Sequence, residues 1–130
     1  MAYGTSAMAE AAPPALPAFD AVEFGELSDM IGEDGVMEMV GIFEMETGNR
    51  LRRLAGGGQS VGMLVREMHT LKGAAGTVAA PRLAALGCMF EQAAHEAIAP
   101  SEDDLIAIAD AFAAWLEEVR LWRQRRAAMM

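Results

Sequence analysis

Cysteine is almost missing from this chain: Cys88 is the only one among 130 residues. A single thiol excludes an intramolecular disulfide and any multi-cysteine zinc site. Cations are also scarce, with ten Lys and Arg against 19 Asp and Glu and a formal net charge of -9. Nucleic acid is therefore not an expected partner, because a phosphate backbone needs a concentrated positive surface. No apolar run reaches the roughly 18–20 residues needed to span a bilayer, so no membrane association is expected. The N-terminus lacks the basic patch and apolar stretch of a secretory signal. These absences point to a cytoplasmic protein. No Val/Ile/Thr-rich alternating stretch is bounded by turn residues, so strands are not expected. There is no internal repeat.

What is present favours helices. The chain is 53% hydrophobic, enough to bury a core, and Ala, Leu, Met and Glu are good helix formers. Residues 1–19 are Ala/Pro-rich with one charge, Glu10, and Pro13, Pro14 and Pro17 forbid a continuous helix there. This segment reads as a flexible leader. The domain proper is expected over residues 20–127.

Five helices follow from pattern and punctuation. Asp20 and Glu23 make a capping box for a short helix over Ala21 to Ile31. Its apolar residues Val22, Leu27, Met30 and Ile31 are expected to form a lid. A second helix starts near Asp34, with Val36, Met39 or Val40, Phe43, Thr47, Leu51 and Leu54 as its stripe. Gly56-Gly57-Gly58 stops it. The third is capped by Ser60 and carries Val61, Leu64, Met68, Leu71, Ala75 and Val78, spaced 3-4-3-4-3. Pro81 opens the fourth, with Leu83, Leu86, Phe90, Ala93 and Ala97 inward, and Pro100 is expected to end it. Ser101 caps the fifth, whose seam is Leu105, Ile108, Phe112, Trp115, Val119 and Trp122. Acids crowd its first turn and Arg120, Arg123, Arg125 and Arg126 its end, as the helix dipole favours. Short loops between long amphipathic helices predict an all-α fold, an antiparallel up-down-up-down four-helix bundle with a short N-terminal lid helix.

One helix face is chemically unusual. At about 100° per residue, Gly62, His69, Gly73 and Gly76 fall within roughly 60° of each other beside the buried seam. Interior helical glycines cost about 1 kcal/mol each relative to Ala, and nothing local requires these. They leave a smooth shelf that another protein's backbone can approach. Lys72, three residues after His69, is the only lysine in the chain. A mobile ammonium beside an imidazole suits a transient phosphoryl group. The competing reading is a surface or satisfied core histidine, with glycines that serve close helix packing.

The stretch His69-Thr70-Leu71-Lys72-Gly73-Ala74-Ala75-Gly76-Thr77, continuing through Leu83, Leu86 and Glu91, resembles the signature of histidine-containing phosphotransfer (HPt) domains. It is also similar to the phosphotransfer domain of chemotaxis histidine kinases. The resemblance covers roughly Asp20 to Arg125, with its specific motif between Glu67 and Glu91. Where many members have a Gly just before the hairpin, this chain has Ala79-Ala80.

The resemblance implies a phosphorelay carrier. His69 would accept the phosphoryl group on Nε2, Lys72 would stabilise its charge, and Gly73 would give a receiver domain room. Partners would be the receiver domain of a response regulator or of a hybrid histidine kinase, met by a monomer. No cofactor is expected on this chain, since magnesium would reside on the receiver. The chain has no Gly-rich nucleotide loop, so it is expected to be a carrier without autokinase activity. The alternative is the phosphotransfer module of a chemotaxis-type kinase, phosphorylated by a separate ATP-binding domain.

Glu91 also has a geometric argument. His69 and Glu91 lie eleven residues before and after Ala80, so an antiparallel hairpin brings them to similar height. Glu91 is then either an acceptor for His69 Nδ1–H, fixing the tautomer, or a solvated carboxylate. Arg66 and Arg82 are either docking contacts for an acidic receiver or solvated charges. His95 falls opposite the Leu83–Phe90 seam and is expected to be exposed; with Glu91 it offers only two ligands, so no metal site is expected.

Overall fold

The computed structural model describes residues 16–129, and most of the expected leader, residues 1–15, lies outside them. Among the described residues the chain is all helical: α1 (Ala21–Ile31), α2 (Glu33–Ala55), α3 (Val61–Thr77), α4 (Pro81–His95) and α5 (Glu102–Met129). The caps explain the starts. Asp20 accepts a hydrogen bond from the Glu23 amide, and Ser60 from that of Met63. Ser101 and Asp104 cap reciprocally: the Ser101 hydroxyl accepts from the Asp104 amide while the Asp104 carboxylate accepts from that of Ser101.

The helices α2, α3, α4 and α5 pack in a closed ring, each against the next, and α3 with α4 makes the most extensive pairing. The interior holds Val36, Val40 and Phe43 of α2, Leu64, Met68, Leu71 and Ala75 of α3, Leu83, Leu86 and Phe90 of α4, and Ile108, Trp115 and Val119 of α5. Val40, not Met39, takes the inward place, and Arg50 rather than Leu51 is buried one turn after Thr47. Val61, at the exposed start of α3, stands outside the core.

The lid packs on a face other than the one expected. Phe24 and Ser28 are buried and Leu27 packs partly buried against the core as expected, whereas Val22, Met30 and Ile31 are exposed. The aromatic ring decides the phase: Phe24 sits 5.1 Å from Phe19 and 4.8 Å, edge-on, from Trp122 of α5. A buried Phe makes tilted and edge-on aromatic contacts that Met30 and Ile31 cannot make. Phe19, read from sequence as part of the leader, belongs to this core. The Pro17 carbonyl accepts from the Arg82 amide.

α4 also ends differently. It stops at His95, and Ala97, expected inward, is exposed with φ 61°. The Ile98 amide reaches back to the Ala93 carbonyl, which closes the helix by a left-handed residue well before Pro100.

The α3–α4 hairpin turns through Ala79, whose φ is 60°. This is the region that favours glycine, and a β-carbon there costs roughly 1–2 kcal/mol. Surrounding bonds hold the turn. The Ala79 carbonyl accepts from the Asp20 amide, the Ala80 amide donates to Ala75, and the buried Trp115 indole donates to the Val78 carbonyl at 3.0 Å. Ala79→Gly is therefore expected to stabilise the protein, by roughly 0.5–1 kcal/mol after the entropy of the unfolded glycine is set against the relieved strain. Urea denaturation measures it, and a lower midpoint would show the turn to be unstrained.

Candidate functional site

The site stands where α3 and α4 face each other. Met68 and Leu71 are fully buried, which leaves His69 and Lys72 on the flank of α3. The His69 side chain is 68% exposed. Glu91 follows the buried Phe90 on α4 and is only 13% exposed. Its two oxygens are divided between two partners: Oε2 lies 2.9 Å from His69 Nδ1 and Oε1 lies 2.7 Å from Lys72 Nζ. A carboxylate only accepts, so Nδ1 is the donor, and in the neutral ring Nε2 keeps its lone pair.

Charge tuning follows from that bridge. The Lys72 ammonium first, and the His69 ring second, hold the Glu91 carboxyl below the usual carboxylate range against a partial desolvation that opposes them. Glu91 in turn raises Lys72 above the ordinary lysine value. Both ends of the ion pair therefore stay charged through the neutral range.

The glycine shelf is open. A β-carbon at Gly62, Gly73 or Gly76 would meet no atom within 4 Å. Beside it, between α2 and α3, lies an apolar groove of about 200 Å³ lined by Met39, Ile42, Phe43, Ala74 and Val78, with Glu46 and Thr77 at its edge. Thr77 turns its hydroxyl back to the Gly73 carbonyl.

Not every expected site residue gathers here. His69, Lys72, Glu91, Gly73 and Gly76 share one face. Arg66 is exposed one turn before His69, in a shallow depression with Arg53, Met63 and Glu67. Gly62 lies seven residues before His69, roughly 10 Å along the axis. Arg82 stands apart, in the first turn of α4, where its Nε donates to the Leu16 carbonyl at 2.9 Å. His95 is exposed at the end of α4.

Two supporting features escaped the sequence pattern. Glu67, two residues before His69, receives Arg53 through two bonds of 2.8 and 2.9 Å and the buried Arg50 at 3.3 Å. This clamp ties α3 to α2, and Arg53 leads in holding Glu67 below its ordinary pKa. A cation at a buried stripe position, 47-50-54, was the readable signal. The second is Gly87, which lies on the backbone of Lys72: a β-carbon there would come within 2.9 Å of the Lys72 amide nitrogen. Its signal was a glycine in phase with Leu83, Phe90 and Ala94.

The family model of the Hpt domain matches residues 38–122, more than half of the chain. The chain belongs to the Hpt domain family. Hpt domains are phosphoryl carriers of phosphorelays and typically exchange the group with receiver domains. The matched span contains the whole α3–α4 site, whereas α1 precedes it. No curated protein and no solved structure matches this Hpt domain. Among the described residues, no helix is long and apolar enough to cross a membrane, and no three His, Cys, Asp or Glu side chains are grouped to hold a metal ion.

The bridge sets a pH dependence with a definite sign. The Glu91 pKa is lowered on folding, so its contribution is complete above the ordinary carboxylate range and is lost as pH falls through the lowered value. Wild type should exceed Glu91→Gln in denaturation midpoint at pH 7, and the gap should close in strong acid. A gap that persists unchanged at acid pH would show that the carboxylate's charge is not its source.

Proposed function

We propose that His69 is the phosphoryl-accepting residue of a histidine phosphotransfer protein that carries the group between receiver-domain aspartates. One observation carries this reading: a largely buried carboxylate holds an exposed imidazole by Nδ1 and an ammonium beside it, next to an open glycine face. Nε2 is left as the nucleophile, and neutral imidazole is competent near its unperturbed pKa of about 6.5.

The step balances simply. The Nε2 lone pair attacks the phosphorus of an aspartyl phosphate and forms an N–P bond. The P–O bond to the aspartate breaks, and its electron pair leaves with the carboxylate. The ring becomes cationic, with its Nδ1 proton held against Glu91. The reverse reaction delivers the group to the next aspartate.

Phosphoryl transfer is largely positioning and electrostatics. Lys72 has three donors and gives one to Glu91, so two remain for phosphoryl oxygens. Gly73, with Gly76 and Gly62, admits the receiver's loops, and the α2–α3 groove takes apolar side chains around them. Arg66 meets the receiver's acidic rim, and the magnesium ion belongs to the receiver. Arg82, committed to Leu16, has no part in this reading.

Transfer from a radiolabelled phosphorylated receiver tests it. Wild type should gain an acid-labile label and His69→Gln none; equal labelling would overturn the assignment. Label gained only from a kinase catalytic domain would replace the receiver as donor.

The shelf makes a second, opposed prediction. Gly73→Ala should raise stability by about 1 kcal/mol, since helix propensity improves and no atom is displaced. Gly73→Trp should keep its helical circular dichroism yet slow transfer. An unchanged rate in Gly73→Trp would show that the partner docks elsewhere.

A further inference from the structure

We propose that Gly87 is a positioning residue: it lets α4 lie directly on the backbone of Lys72, and that separation lets Glu91 hold His69 and Lys72 at once. The inference rests on His69 being the reactive residue and concerns what aims it.

Among the described helical glycines, Gly87 alone has a neighbour closer than 3.4 Å to an added β-carbon. At Gly41, Gly62, Gly73 and Gly76 an added β-carbon meets nothing within 4 Å. At Gly87 it would lie 2.9 Å from the Lys72 nitrogen, 3.0 Å from its α-carbon and 3.2 Å from its β-carbon. Two of these are backbone atoms and cannot rotate away. Ordinary contact begins at 3.4 Å, so a methyl group moves the helices apart by some tenths of an ångström at this point.

The point matters because of its level. Gly87 is one turn before Glu91, and Lys72 is one turn after His69. The contact therefore sits one turn nearer the hairpin than the His69–Glu91 pair, beneath the Lys72 arm of the bridge. Glu91 has no slack there, since both oxygens are engaged, at 2.9 and 2.7 Å. When α4 moves outward, the carboxylate cannot keep both partners. Loss of the Nδ1 contact frees the ring to adopt the Nε2–H tautomer that imidazole prefers in water. With Nε2 protonated, no lone pair faces the phosphorus.

Nitrogen-resolved NMR of the His69 ring at neutral pH, read beside transfer kinetics, tests the proposal. Wild type and Gly41→Ala should show mainly the Nδ1–H form. Gly87→Ala should shift towards Nε2–H while its circular dichroism stays helical, and its transfer should slow by about 10- to 100-fold. Glu91→Asp, which shortens the reach by one methylene with Gly87 intact, should shift the tautomer in the same direction. A wild-type tautomer in Gly87→Ala, whatever its melting temperature, would overturn the proposal. If Gly87→Ala does not fold alone, the stabilising Ala79→Gly background carries it: a wild-type tautomer there overturns the proposal and a shifted one sustains it. Tautomer shifts without any labelling of wild type would fault the acceptor assignment and leave the role of Gly87 standing.

Discussion

A single carboxylate joins the two halves of this site. Glu91 spans the gap between α3 and α4 and gives one oxygen to the His69 imidazole and the other to the Lys72 ammonium. Each contact alone would be an exposed polar pair of little energetic value. Together they define which ring nitrogen is protonated, where the cation stands and which nitrogen faces outward. Their geometry requires the two helices to keep one spacing and one register.

The rest of the fold serves that spacing. The Trp115 indole holds the hairpin at the Val78 carbonyl, and the strained Ala79 turn is tied to the backbone ahead of α1. Gly87 permits the close approach of α4, and the Arg50–Arg53–Glu67 clamp anchors α3 from its other side. The face that carries His69 is built oppositely, with no side chains at Gly73 and Gly76. Glycine thus appears in one helix where the surface is left open, and in the next where a neighbouring backbone lies against it.

Much of this was legible beforehand, because the relevant signals are local. Seams spaced three and four, the capping residues Asp20 and Ser60, and Pro81 at a helix start describe where α1 to α5 begin nearly to the residue, whereas α4 ends several residues earlier than Pro100 suggested. The spacing of His69, Lys72 and Gly73 marked the face, and counting residues about Ala80 put Glu91 level with His69. Other features were hidden because they depend on competition between faces. Whether Phe24 or the Met30 side of α1 turns inward depends on Trp122, nearly a hundred residues away. Arg50 is buried because Glu67 of another helix receives it. Arg82 reads as a docking contact or a solvated charge until the Leu16 carbonyl is seen beside it.

The amino-acid sequence by itself determined the helices, their order and the chemical character of one face, since periodicity, caps and residue types act over a turn or two. Only the tertiary structure decided the distance between α3 and α4, the partner of each Glu91 oxygen and the phase of the lid. Those are outcomes of packing, in which a β-carbon added at Gly87 or an aromatic ring at Phe24 shifts a whole helix, and no local pattern encodes the position of the surface it meets.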